Sequence, residues 1–280
     1  MLIHVGCQIG FDLPQPVHAI LMVQLHPCRL PTLQRSEQLD LSPLLPHEEY
    51  VDAFGNRCIR ISAPVGELTI CTDAVVEDSG LPDLQVPNAR QHDLGELPHH
   101  ALVFLLPSRY CEVDSELKDL SWKLFGHLTP GWPRVQAICD YVFNQVRFDY
   151  MLARNTRTAW DVYKEQVGVC RDFMHLAITF CRCLNIPARY CTGYLGDIGV
   201  PPAASPMDFS AWFEAFVGGQ WYSFDARNNT PRIGRVLVAR GRDAADVALT
   251  TIFGQNTLKS FRVWTDEIIA GPSLAQTSVN

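Results

Sequence analysis

The chain has 280 residues, 47% of them hydrophobic, which is enough for one large domain or two ordinary ones around a real core. A formal charge of −7, with Lys and Arg scattered along the chain, excludes a nucleic-acid surface. No run approaches the ~20 apolar residues of a membrane span, and the start lacks a basic segment followed by an apolar one, so a cytoplasmic protein with no membrane contact is expected.

The first 80 residues alternate short apolar runs with turn residues: "IHVGCQIGF", "AILMVQLHP", "RCIRISAP" and "LTICTDAVV". This pattern predicts a β-rich domain over 1–80, a small sandwich. The stretch "SGLPDLQVPNARQHDLGELPHH" at 79–100 is polar and broken by prolines, which predicts a linker over 81–100.

Helical periodicity then takes over. In "PRVQAICDYVFNQVRF", Val135, Ile138, Cys139, Val142, Phe143 and Val146 recur at helical spacing behind a proline suited to the first helical position. The pattern returns after Cys170, with Phe173, Leu176, Ala177, Phe180 and Leu184 on one stripe. From 187 the pattern is β again: "ARYCTGYL", then "SAWFEAFV" and "QWYSFDA" joined by the hairpin signal Gly218–Gly219. The helix-then-sheet core is placed over 101–270, ahead of a disordered tail at 271–280.

Ten cysteines lie mostly inside apolar patterns, so they are read as reduced. Cys181, Cys183, Cys191 and His175 have zinc-ligand chemistry, but positions i and i+2 of a helix point about 200° apart, which leaves Cys181 and Cys183 unable to share an ion. No metal or cofactor is expected.

Cys170 stands apart from the other cysteines. In "QVGVCRDF" it follows Gly168 and opens a helix, where the positive end of the helix dipole and the neighbouring Arg171 favour a thiolate. The alternative is a small hydrophobe capping the core. A thiol that cleaves amides also needs an imidazole and a group to orient it. If Gly218–Gly219 is the hairpin loop, Val217 faces Gln220 and Trp212 faces Asp225, which makes positions 210 and 225 diagonal neighbours ~7–8 Å apart.

The blocks "YVDAFGNRCIRISAPVGEL", "GVCRDFMHLAITFCRCLNIPARYCTGYL" and "MDFSAWFEAFVGGQWYSFDARNNTPRIGRVLVARGRDAADVALTTIFG" resemble bacterial transglutaminase-like proteins of the cysteine-protease type over nearly the whole chain. The resemblance implies an α+β fold, with an N-terminal β-sandwich followed by a papain-like core of helices packed on an antiparallel sheet. It implies thiol-mediated amide cleavage or acyl transfer on a peptide or protein substrate, with Cys170 as nucleophile and Asp225 as the orienting acid.

The superfamily pattern Asp-Phe-His-Ala-Trp reads "DFSAW" here, which puts Ser210 in the seat of the base. A second place where relatives carry histidine is Asn228. His175 lies about 140° round the helix from Cys170 and reads as a core residue, while His92, His99 and His100 lie in the linker. Arg171, Asp172 and Trp212 are candidate substrate contacts, with packing roles as their alternatives. Two functional readings stay open: an acyl-transfer enzyme, and a catalytically silent module that keeps the cleft to bind a peptide or protein.

Overall fold

A computed structural model describes residues 1–202 and 206–269, so the tail expected at 271–280 lies outside the described residues. Six strands come first: β1 (Leu2–Leu13), β2 (Val17–Leu21), β3 (Gln38–Ser42), β4 (His47–Val51), β5 (Arg57–Ala63) and β6 (Gly66–Glu77). Their alternation is visible in β6, where Leu68, Ile70, Thr72, Ala74 and Val76 point inward and the residues between them are more exposed.

The core follows as a single turn α1 (His99–Leu102), then α2 (Leu117–Phe125), α3 (Trp132–Gln145), β7 (Arg147–Phe148), α4 (Ala159–Glu165), β8 (Val167–Gly168) and α5 (Cys170–Cys183). Four strands complete it: β9 (Ala188–Tyr194), β10 (Ser210–Val217), β11 (Gln220–Phe224) and β12 (Val236–Gly241). They form an antiparallel sheet in the order β11-β10-β9-β12. The class is α+β.

The β10–β11 hairpin has the register read from the sequence, Val217 opposite Gln220. Gly218 and Gly219 both take positive φ (59° and 88°), as a two-residue loop that matches the strand twist requires.

The chain does not end in the core. β13 (Thr250–Phe253) pairs with β2, and β14 (Thr257–Ile268) pairs with β1 along its length. The sandwich sheets are therefore β14-β1-β6-β3 and β13-β2-β5-β4. This corrects the boundaries 1–80 and 101–270, because the sandwich draws two of its strands from the C-terminal end. Pairing between strands at opposite ends of the sequence leaves no local signal.

The stretch 81–100 is sewn to the core and does not hang free. Asp83 and Arg232 exchange backbone and side-chain hydrogen bonds, the Arg90 carbonyl accepts from Gly218 N–H, and the Gln91 side chain donates to the Leu184 carbonyl.

Helix α5 packs against β9, β10, α2, α3 and α4. The sequence predicted one apolar stripe on it, yet every residue from Asp172 to Cys183 is buried, Arg182 and His175 included. A helix wrapped on all sides must satisfy its polar groups internally. Arg182 does so through the carbonyls of Leu106, Ala188 and Arg242. On α3, Val135, Ile138, Cys139 and Val142 are buried as predicted, whereas Phe143 is 44% exposed.

Removing residues after 249 should uncover the edges of β1 and β2. The truncated protein is expected to lose cooperative thermal unfolding and to self-associate through the bared strand β1, as read by circular dichroism and size-exclusion chromatography.

Candidate active site

The loop before α5 is shaped by one close approach. Helix α4 ends at Gln166 in the left-handed conformation (φ 53°), and β8 then pairs in parallel with β7. A Cβ on Gly168 would sit 2.6 Å from the Asp172 Cβ, so only glycine lets the chain turn this tightly into the helix. Asp172 Oδ2 accepts from Val169 N–H at 3.0 Å and from Arg157 at 3.0 Å, and its Oδ1 accepts from Arg171 Nε at 3.2 Å. Cys170 is thereby fixed at the first position of α5, half-buried.

Its side chain lines a pocket of about 130 Å³ together with Ser210, Asn228, Asp208, Arg227 and Tyr150. Ser210 opens β10 opposite Gly193. Asp225 lies behind the pocket, 6% exposed, and its carboxylate is fully engaged. Oδ1 accepts from the backbone N–H groups of Arg227 (3.0 Å) and Asn228 (2.9 Å), and Oδ2 from Asn228 Nδ2 (2.8 Å) and Arg235 (3.0 Å). Cys170 and Ser210 thus share a pocket, but Asp225 meets it through Asn228. Among the described residues Ser210 and Asp225 form no hydrogen bond.

The electrostatics reverse the expectation of a stabilised thiolate. Burial pushes the Cys170 thiol up to about 11, and the charges of Asp208 and Asp225 push in the same direction. Backbone N–H groups of Arg171 and Ala211 oppose this without winning.

Arg171 adds no charge to the sulfur, because its guanidinium is turned onto Asp172 and the Arg154 carbonyl and lies 5.5 Å from the centre of the Tyr110 ring. Asp172, expected at the substrate, is fully buried and instead holds the loop. Trp212 is 2% exposed, packed with Cys191 and Leu237 beneath the Arg235 guanidinium. These three side chains support the site from outside the pocket.

No histidine lines the pocket among the described residues. His175 is stacked on Tyr110 (4.9 Å between ring centres), its Nε2 accepts from Ala244 N–H, and burial drives its pKa well down. His92 lies against Phe216 beside Glu96.

Asp208 was not singled out from the sequence. It accepts from Phe209 N–H, burial raises its pKa, and its charge acts directly on Cys170. Its mark in the sequence is its place as the first residue of "DFSAW", two positions before Ser210 and so at the same strand mouth.

Residues 119–226 match the transglutaminase-like superfamily. Over 97% of its length the chain is similar to a Cytophaga hutchinsonii protein proposed to be a cysteine protease, with 32% identity, a TM-score of 0.81 and 92% of that chain covered. It is 26% identical over 211 residues to the uncharacterized protein ML0607 of Mycobacterium leprae, covering 71% of this chain and 73% of that one. It is 28% identical over 220 residues to the uncharacterized protein Rv2569c of Mycobacterium tuberculosis, covering 70% and 68%.

Three outcomes follow from this geometry. Alkylation of Cys170 by iodoacetamide, followed residue by residue in mass spectra, should climb without a plateau from about pH 7 to about pH 10, since only the thiolate reacts. Asp208→Asn removes a negative charge that opposes ionisation, so it should raise the rate at every pH in that range. Asp172→Asn removes the deeper of the two carboxylates that hold Arg157, leaving Glu165 and the Leu152 carbonyl, and should cost about 1–3 kcal/mol in denaturant unfolding.

Proposed function

This chain belongs to the transglutaminase-like superfamily, and from that premise we propose that its Cys170 pocket binds a peptide segment while thiol-mediated amide chemistry is arrested at the proton-transfer step. One observation carries the reading: Ser210 and Asn228 line the pocket with Cys170, no imidazole lines it among the described residues, and the thiol there is pushed up to about 11.

Amide cleavage needs a group that takes the thiol proton and later delivers one to the leaving nitrogen, and such assistance is typically worth about 10²–10⁴-fold. The Ser210 hydroxyl and the Asn228 carboxamide do not titrate near neutrality. The Asp208 carboxylate, even raised by burial, is a far weaker base than the Cys170 thiolate. At about 130 Å³ the pocket has room for one side chain, and Asn228, Asp208 and Arg227 offer donors and acceptors suited to a carboxamide.

A second reading, slow acyl transfer to water or an amine, draws on one specific feature. The sulfur lies at the start of a helix with the backbone N–H groups of Arg171 and Ala211 directed at it, an arrangement suited to a nucleophile.

Acylation by a glutamine-containing peptide separates the two. Wild type is expected to be nearly inert. Asn228→His should raise the rate by about 10²-fold or more, because side chain 228 already contacts Asp225 at 2.8 Å from within the pocket. Ser210→His should gain less, lacking that contact, and adding Asp225→Ala to Asn228→His should remove much of the gain. A wild type as fast as the histidine variants would mean that another base serves Cys170. Peptide binding should persist in Cys170→Ala, measured by calorimetry.

A further inference from the structure

Away from Cys170, the sheet borders a second and larger cavity, of about 530 Å³. Phe54 reaches it from the turn between β4 and β5 of the sandwich, His100 and Phe104 from the segment around α1, and Arg189 and Arg240 from β9 and β12. It therefore lies where the two lobes meet, a preferred place for small-molecule sites, and its size falls within their usual range of about 300–1,000 Å³.

Its charges are unbalanced. Arg189 is paired, its Nε 2.5 Å from Glu214 Oε2, and its guanidinium lies 4.1 Å from the centre of the Trp221 ring. Arg240 is not. Its backbone is clamped on both sides by the Asn56 side chain, which accepts from Arg240 N–H at 2.9 Å and donates to its carbonyl at 2.8 Å. Its guanidinium nevertheless forms no ion pair and no hydrogen bond among the described residues. Arg157, Arg235 and Arg242 each have a carboxylate.

The other titratable groups nearby do not fill the gap. Asp52 is taken up by the N–H groups of Phe54 and Asn56 and by the Asn56 amide, and Glu214 is held by Arg189. His26, buried close by, is pushed down to about 4, first by burial and then by the charges of Arg240 and Arg189 against the opposing charge of Asp52, so it stays neutral and adds no further cation. The walls are aromatic: the Phe54 and Phe104 rings lie 6.0 Å apart, and Phe104 meets Trp221 edge-on at 5.4 Å.

We propose that this cavity binds a small aromatic carboxylate, with the carboxylate on the Arg240 guanidinium and the ring packed against the wall that Phe54 and Phe104 form together. A guanidinium presents a planar fork that matches a carboxylate with two parallel hydrogen bonds, and one uncompensated cation calls for one negative charge. The site is independent of Cys170, which lines a different pocket.

The full-length protein is titrated with benzoate, phenylacetate and 3-phenylpropionate, and in parallel with 3-phenylpropionamide, which keeps the shape and drops the charge. Trp221 fluorescence and calorimetry report binding. At least one carboxylate should bind, and the amide should bind about tenfold or more weakly. Arg240→Gln should erase that difference, Arg240→Lys should keep part of it, and Cys170→Ala should leave it untouched. Without ligand, Arg240→Gln should unfold at the same temperature as wild type or higher, since it removes an unpaired cation beside Arg189, and it should lose the upward shift that the carboxylate produces in wild type. Equal affinity for carboxylate and amide, affinity that survives Arg240→Gln, or no binding by any of the three carboxylates would each overturn the proposal.

Discussion

The buried ion pair between Arg157 and Asp172, 3.0 Å apart and almost wholly screened from water, is the constraint on which the Cys170 region depends. Asp172 is shared between three tasks. It accepts from the N–H group that precedes α5, it holds Arg157 from the loop ahead of α4, and it draws Arg171 away from the sulfur. An ion pair this deep is retained only with further hydrogen bonds, and it has them: the Leu152 carbonyl and Glu165 take the remaining Arg157 donors. Fixing the loop in this way places Cys170 reproducibly, and the same carboxylate draws off Arg171, the cation next to it in sequence.

A second buried guanidinium plays a matching part behind the pocket. Arg235 joins Asp83, from the segment that leaves the sandwich, to Asp225 at the end of β11. Asp225 is thus held in place by charge while its other lone pairs close the turn at Arg227 and Asn228. The acid that would orient an imidazole is preserved with its geometry, although the side chain it touches is an amide. Positioning and proton transfer are physically separable, and the proposed reading keeps the first without the second.

The two lobes are bound more closely than tandem domains joined by a linker. β13 and β14 return from the core to the sandwich, and Asn56, at the tip of a sandwich turn, clamps the β12 backbone at Arg240. The buried Tyr194 of β9 reaches Thr72 of β6 across the junction. The junction also leaves the cavity under Arg240, where a cation lies against aromatic walls, so the contact that unites the lobes shapes a pocket as well.

Local periodicity was enough to place the β-rich start and the helix-then-sheet order, the helix opening at Cys170, the Gly218–Gly219 hairpin and its register, and the apolar face of α3, because each depends on residues only a few positions apart. The motif blocks around Cys170 and Ser210 carried the family and the absent histidine for the same reason. Tertiary structure decided what depends on distant partners: the return of β13 and β14 to the sandwich, the burial of α5 on every side, and the contact of Asn228, not Ser210, with Asp225. It also decided the charge at the sulfur. A helix N-terminus and an adjacent arginine favour a thiolate when solvent is the only other participant, but a half-buried thiol beside Asp208 and in front of Asp225 obeys desolvation first, and that balance exists only after the chain has folded.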